Sequence, residues 1–270
     1  MGGSPAAGGV SDELLAVAAE AARAAGELLL ERFQAGAPGA VTMKSSPTDP
    51  VSEADRAAER AIRNVLAARR PGDAVVGEEG ADVAGDSGLR WVVDPLDGTV
   101  NYLYGLPAWT VTLACQRDSS QTLAGVVLDP VRDELFTATA EGPAFRQSAG
   151  DRLELWPPRA TSLDQALVAT GFAYSPERRE RQGEVAVRVL RAARDLRRIG
   201  SAAMDLAWTA CGRLDAFYER GLNPWDAAAG MLICARAGLE VRTLAPSDGL
   251  PAGVVAAPAA FADELVALVR

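Results

Sequence analysis

Trp91-Val92-Val93-Asp94-Pro95-Leu96-Asp97-Gly98-Thr99 is the stretch that decides how this chain folds. An apolar run carries Asp94 to the end of a buried strand. Pro95 has no N–H to give a ladder and is expected to end it, and Asp97-Gly98 is turn chemistry that can open a helix. Two carboxylates and a hydroxyl are thereby gathered on one sharp turn, with the backbone N–H groups of Gly98 and Thr99 facing any anion bound there. Hard divalent cations prefer carboxylate and carbonyl oxygen, and phosphate oxygens complete such a shell. The segment therefore suits metal and phosphate together.

Two other segments place acid at an element boundary. Glu78 and Glu79 follow the short strand Val75-Val76-Gly77, and Asp226 lies in the first turn of a helix introduced by Asn223-Pro224. If the three segments converge, their like charges cannot all stay ionised in a dry cleft without two or more cations among them. The formal charge of −9 argues against a nucleic-acid carrier, and against an anionic substrate unless cations invert the sign of the site. The chain has no histidine. Zinc–histidine centres, Ser/His and Cys/His nucleophile pairs and histidine acid–base catalysis are thus excluded, leaving carboxylates, hydroxyls, lysine or metal-bound water.

With 270 residues, 49% of them hydrophobic, the chain can bury a large core. Cys115, Cys211 and Cys234 sit in apolar runs and read as reduced core residues. The first ten residues lack a basic segment followed by an apolar one, and no apolar run approaches the roughly 20 residues of a spanning helix. A soluble cytoplasmic protein, without membrane or nucleic-acid partners, is expected.

The pattern predicts helices over residues 11–33, with Ser11 as cap, and 52–69, separated by a loop over 36–50. Short strands follow at Val75-Val76 and Trp91-Val92-Val93, then a meander over 109–116, 122–128 and 134–138. The second half predicts a strand over 166–170, an arginine-rich helix over 177–195, a helix over 201–211 and a strand over 214–218. A helix then opens at Asn223 with Pro224 in its first turn and ends at Gly238. Two strands and a terminal helix from Phe261 complete the chain. The arrangement is α/β: an α+β half over residues 1–150 with most of the candidate metal ligands, and an α/β half over 151–270 with Asp226, joined as one compact unit. Residues 177–198 hold eight arginines, a basic surface that either steers a phosphorylated substrate or is simply solvated.

Gly77-Glu78-Glu79, the segment from Trp91 to Tyr102, and Trp225-Asp226-Ala227-Ala228-Ala229-Gly230 together closely resemble the three signatures of the inositol monophosphatase family. Lys44 to Asp49, Ser52 to Asp55, Gly200-Ser201-Ala202-Ala203 and Tyr218-Glu219 extend the resemblance over most of the chain. It implies a layered αβαβα sandwich of the inositol monophosphatase and fructose-1,6-bisphosphatase type, a requirement for two to three Mg²⁺ ions, inhibition by lithium and a homodimer. By this resemblance Glu78, Asp94, the Leu96 carbonyl, Asp97 and Asp226 hold Mg²⁺, with Glu79 as an outer or third-ion residue. Lys44 and Asp49 match a mobile loop closing over that weaker site. Thr99 and Asp55, with Glu78, match the group that positions and deprotonates the attacking water. The Gly98 and Thr99 amides match the phosphate cradle, Asp97 is a further substrate-binding position, and Ser201, Ala202, Glu219 and Asp226 match the alcohol side. The segment before Trp225-Asp226 departs from the family pattern, being Leu222-Asn223-Pro224.

The function implied is Mg²⁺-dependent hydrolysis of myo-inositol monophosphate by direct attack of water. Rival substrates are histidinol phosphate, fructose 1,6-bisphosphate and 3′-phosphoadenosine nucleotides, and the non-enzymatic rival is a metal-binding scaffold.

Overall fold

Small and aliphatic residues recurring on one helical face, from Leu14 through Ala18, Ala21, Ala22 and Ala25 to Leu29, bury the first helix along its length. The computed structural model describes residues 9–36, 41–43, 50–118 and 121–270. In chain order the first half comprises α1 (Val10–Gln34), β1 (Val41–Met43), β2 (Pro50–Ser52), α2 (Glu53–Arg69), β3 (Ala74–Gly77), β4 (Leu89–Asp97), α3 (Thr99–Leu103), β5 (Thr110–Arg117), β6 (Gln121–Asp129), β7 (Glu134–Thr139), β8 (Phe145–Ser148) and β9 (Asp151–Glu154). The second comprises β10 (Leu167–Thr170), α4 (Pro176–Ala192), β11 (Asp195–Arg197), α5 (Ala202–Ala210), β12 (Ala216–Arg220), α6 (Pro224–Arg236), β13 (Glu240–Leu244), β14 (Gly253–Ala257) and α7 (Ala262–Val269).

Strands β3 to β9 form a seven-stranded sheet in sequence order, and the second half a five-stranded sheet ordered β11-β10-β12-β14-β13. Helices α1 and α2 cover one face of the larger sheet, α5 and α6 lie between the two sheets, and α4 and α7 cover the outer face of the smaller one. This is the expected αβαβα sandwich. Its three apolar clusters fill the four spaces between the five layers, the second of them spanning both sides of the α5–α6 layer. That central cluster is built largely from small residues. Ala227, Ala228 and Ala229 of α6 are buried, and α6 approaches β6 so closely that a Cβ on Gly125 would lie 3.0 Å from the Cα of Ala229.

Several local expectations are corrected. The cap of α1 is Gly9, whose N–H donates to the Asp12 carboxylate at 3.3 Å, while the Ser11 hydroxyl donates to Glu141 at 2.9 Å. The described ends of the 36–50 loop pair as an antiparallel ladder, Val41 opposite Ser52. The arginine-rich helix stops at Ala192, because the edge of β10 offers unpaired backbone groups that β11 takes up in parallel. Arg194, Arg197 and Arg198 therefore lie beyond the helix. Strands β8 and β9 carry no apolar alternation. They are joined at Ala149-Gly150, both at positive φ (49° and 88°), the backbone of a tight hairpin turn without its usual Asn-Gly. Pro95 does not end β4 but interrupts it: pairing with β5 breaks between Asp94 and Asp97 and resumes at Asp97 opposite Thr110. All three cysteines are free, two of them buried and Cys211 partly so.

Candidate active site

The interruption in β4 falls between Asp94, opposite Thr112, and Asp97, opposite Thr110, at the end of the strand, and Gly98 turns the chain into α3 at φ 98°, a conformation costly for any residue with a Cβ. Beside them β3 ends at Gly77, and the Glu78 N–H donates to the Val93 carbonyl at 3.2 Å, the last backbone rung before the glutamates. On the opposite wall Asp226 occupies the third position of α6. Its Oδ2 accepts the Asn223 N–H at 2.7 Å, so a capping box aims this carboxylate.

These groups share one cleft of about 480 Å³, lined also by Leu96, Thr99, Ser201, Ala202 and Glu219. Each aspartate is tethered through one oxygen. Asp94 Oδ1 accepts the Leu96 N–H at 2.9 Å, and Asp97 Oδ2 accepts the Ser201 hydroxyl at 2.6 Å and the Ala203 N–H at 2.7 Å. The Asp94 and Glu78 carboxyls lie close enough to interact directly, a like-charge contact that a shared proton or a cation between them relieves.

Burial, with Glu78, Asp97 and Asp226 nearby, pushes Asp94 well above the usual carboxylate range. Burial and Asp97 do the same to Asp226. Asp97 is pushed by burial to about 6, although its hydrogen bonds from Ser201 and Ala203 pull the other way. Glu219 is pushed to about 8 by burial, then by Asp97, with Arg198 opposing. Such concentrated like charge is what a hard cation relieves, and an all-oxygen donor set of carboxylates with the Leu96 carbonyl fits one. Among the described residues, no three acidic side chains are already closed around a single ion position.

Behind the cleft, Asp55 is 1% exposed at the start of α2. Ser52 and Asp55 form a reciprocal cap: Asp55 Oδ2 accepts the Ser52 N–H at 2.9 Å and the Ser52 hydroxyl, leaving Oδ1 to accept the Thr99 hydroxyl at 3.0 Å. That hydroxyl also lies 3.1 Å from the Leu96 carbonyl, so its one proton has two alternative acceptors.

Glu79 does not line this cleft. It lines a neighbouring depression with Arg56, Glu59, Arg60 and Arg63. Lys44 and Asp49 lie outside the described residues.

The structure adds residues that the sequence reading missed. Asp205 is 1% exposed and lines the cleft with Oδ1 lacking a hydrogen-bond partner; its signal was available, as the one charged residue in the apolar run of α5. Burial and then Glu219 push its carboxyl well up. Arg178 and Arg198 also reach the cleft, one from the first turn of α4 and one from the segment after β11. Among the described residues neither guanidinium makes an ion pair.

A model of the inositol monophosphatase family matches residues 10–270. An inositol-1-monophosphatase of Mycobacterium bovis is 45% identical over 238 residues, which cover 86% of this chain and 82% of that protein. The solved Mycobacterium tuberculosis SuhB matches at 39% identity with a TM-score of 0.81 over 96% of each chain. The extragenic suppressor protein suhB of Bartonella henselae matches at 32% identity with a TM-score of 0.86, covering 95% of this chain and 98% of that one. A matching family model along nearly the whole chain, these relatives and the layered fold have one consequence: the chain belongs to the inositol monophosphatase family and is a phosphatase.

Proposed function

We propose that this phosphatase hydrolyses myo-inositol monophosphate to inositol and phosphate in a Mg²⁺-dependent reaction with water as the direct nucleophile. The observation that carries the reading is the convergence of Glu78, Asp94, Asp97 and Asp226, from three separate segments, on one cleft beside the Thr99–Asp55 hydrogen bond. Glu78, Asp94, the Leu96 carbonyl, Asp97 and Asp226 would hold the ions, with Glu79 near an outer one. When bound, Mg²⁺ supplies positive charge that acidifies water and neutralises the departing alkoxide.

The chain's own residues do the rest. Thr99 orients the attacking water and passes its proton toward Asp55, whose cap with Ser52 holds the accepting oxygen still. The amides of Gly98 and Thr99 receive phosphate oxygens. Water adds to phosphorus as the bond to the alcohol oxygen breaks; the departing alkoxide takes a proton from solvent water, and the proton held by Asp55 returns to solvent. Phosphoryl transfer asks chiefly for positioning and charge stabilisation, so a site without histidine has no deficit. Ser201, Ala202, Glu219 and Asp226 face the alcohol. Asp97 is fixed by Ser201, which also caps α5, so the phosphate and alcohol sides are tied together through a single hydroxyl.

Supporting this substrate over histidinol phosphate, fructose 1,6-bisphosphate or a 3′-phosphoadenosine nucleotide are the Gly98-Thr99-Val100-Asn101-Tyr102 and Tyr218-Glu219-Arg220-Gly221 stretches. A homodimer and inhibition by lithium belong to the same reading. Among the described residues no helix is long and apolar enough to cross a membrane. Phosphate release from inositol 1-phosphate and the three rivals, with and without Mg²⁺ and Li⁺, is the test. Release fastest on inositol 1-phosphate, lost in EDTA and suppressed by Li⁺, is expected. Preference for a rival overturns the substrate, and full activity in EDTA overturns the metal.

A further inference from the structure

We propose that Glu59, which lies outside the cleft, is a positioning residue that fixes the Glu78-Glu79 turn and thereby sets how tightly the site binds its divalent cation; this rests on the metal-dependent reading above. Glu59 follows Asp55 by one turn on the same face of α2, and the two are 2% and 1% exposed. Its Oε2 accepts the N–H of Glu79 at 2.7 Å. Its Oε1 receives Arg63 Nε at 2.7 Å and lies 2.6 Å from the guanidinium nitrogen beside it. Both oxygens of a buried carboxylate are thus committed, one to a cation on its own helix and one to the backbone of a different segment.

The flanking sequence is shaped to this contact. A Cβ on Gly77 or on Gly80 would lie 2.5 Å from Glu59 Oε1, so the glycines on either side of the two glutamates leave the space the carboxylate fills. Sheet support for the turn ends at the Glu78 N–H to Val93 carbonyl bond. Beyond that point the Glu59 carboxylate takes over as the acceptor for the main chain.

Arg63 neutralises Glu59, so the turn is held by a carboxylate that adds little net negative charge beside the cation site. An i,i+4 pair serving the helix alone gains little from burial and would have no reason to reach another segment's amide. Because α2 also carries Asp55 to Thr99, one rigid helix registers the glutamate turn against the proton relay.

Groups that orient metal ligands typically cost about 10- to 100-fold in metal affinity or activity when removed. The test is calorimetric titration of the full chain with Mg²⁺ alone, for wild type, Glu59→Gln and Glu59→Leu, beside kcat at saturating Mg²⁺ and thermal melts in EDTA. Glutamine keeps the shape but has one acceptor for two donors, so it is expected to weaken Mg²⁺ binding partly. Leucine is expected to weaken it by about 10-fold or more, with kcat at saturating Mg²⁺ within about twofold of wild type. Unchanged Mg²⁺ affinity in both variants alongside a lower melting temperature would make the pair merely structural and overturn the proposal. So would a fall in kcat at unchanged affinity. A wild-type chain that binds no Mg²⁺ refutes the metal-dependent reading itself, and the proposal with it.

Discussion

Asp97→Asn should make the metal-free protein more stable, and only above mildly acidic pH. Burial raises Asp97 from an ordinary 3.8 to about 6 against the opposing hydrogen bonds of Ser201 and Ala203. The folded chain therefore holds this proton more tightly than the unfolded one. Its contribution to stability is fully present below the unfolded value and is lost as pH rises through the folded value, so stability falls between about pH 4 and pH 6 and then levels off. The interval from 3.8 to about 6 amounts to about 3 kcal/mol. Asparagine has nearly the same shape, keeps an acceptor for Ser201 and Ala203, and carries no charge. In EDTA the variant should match wild type near pH 4 and exceed it by up to about 3 kcal/mol above pH 7. At roughly 2 to 4 °C per kcal/mol for a domain of this size, the melting temperatures separate by several degrees. Asp73 and Glu134, held below the usual range by hydrogen bonds from Arg70 and Arg213 respectively, contribute stability that is lost as pH falls. They are common to both proteins and cancel in the difference. Thermal or urea unfolding at four pH values between 4.5 and 7.5 measures it. A difference that does not change with pH, or one that grows toward acid, refutes the electrostatic account of Asp97.

Thr99→Val removes the hydroxyl that joins the cleft to Asp55; steady-state kinetics should show kcat falling by about 10²-fold or more, with KM little changed. Asp94→Asn should abolish turnover while the circular dichroism spectrum stays native, and near-wild-type turnover in saturating Mg²⁺ would disprove a role for this carboxylate in holding the ions. Ser201→Ala deletes the α5 cap and the bond to Asp97, so chemical denaturation should register a loss of about 1 to 2 kcal/mol. Glu219→Gln is expected to raise KM for inositol 1-phosphate without altering inhibition by inorganic phosphate, since only the alcohol touches that wall.

The cleft was legible where chemistry is written locally. Asp94, Asp97, Glu78 and Asp226 each stand beside a proline, glycine or capping residue that marks an element end, and such marks survive without tertiary information. The interruption of β4 was misjudged because Pro95 forbids one hydrogen bond, whereas whether a strand resumes depends on the partner, here Thr110 opposite Asp97. Strands β8 and β9 escaped because their residues are polar or half-exposed and their turn is Ala149-Gly150. Glu59 was invisible for a different reason. On α2 a glutamate four residues before an arginine looks like a solvated pair, and only the third dimension brings the Glu79 amide to it. Arg198 was counted only with the basic surface over residues 177–198; its place at the cleft follows from the chain leaving the helix at Ala192, three residues before the end expected for it, to pair β11 with β10.

The alanine-packed contact between α6 and β6 has a mechanical meaning for the cleft. Asp226 is fixed to α6 and Asp97 to β4, so the gap between the two walls is gauged by methyl groups and by the missing side chain of Gly125 rather than by anything polar. A bulkier residue at Ala229 would act as a shim. Overpacking of this kind costs about 1 to 3 kcal/mol, which a folded chain can absorb, but the displacement would spread the opposing carboxylates apart. Interior dimensions and the tuning of the charged walls are in that sense one quantity, and the smallest residues of the core set it.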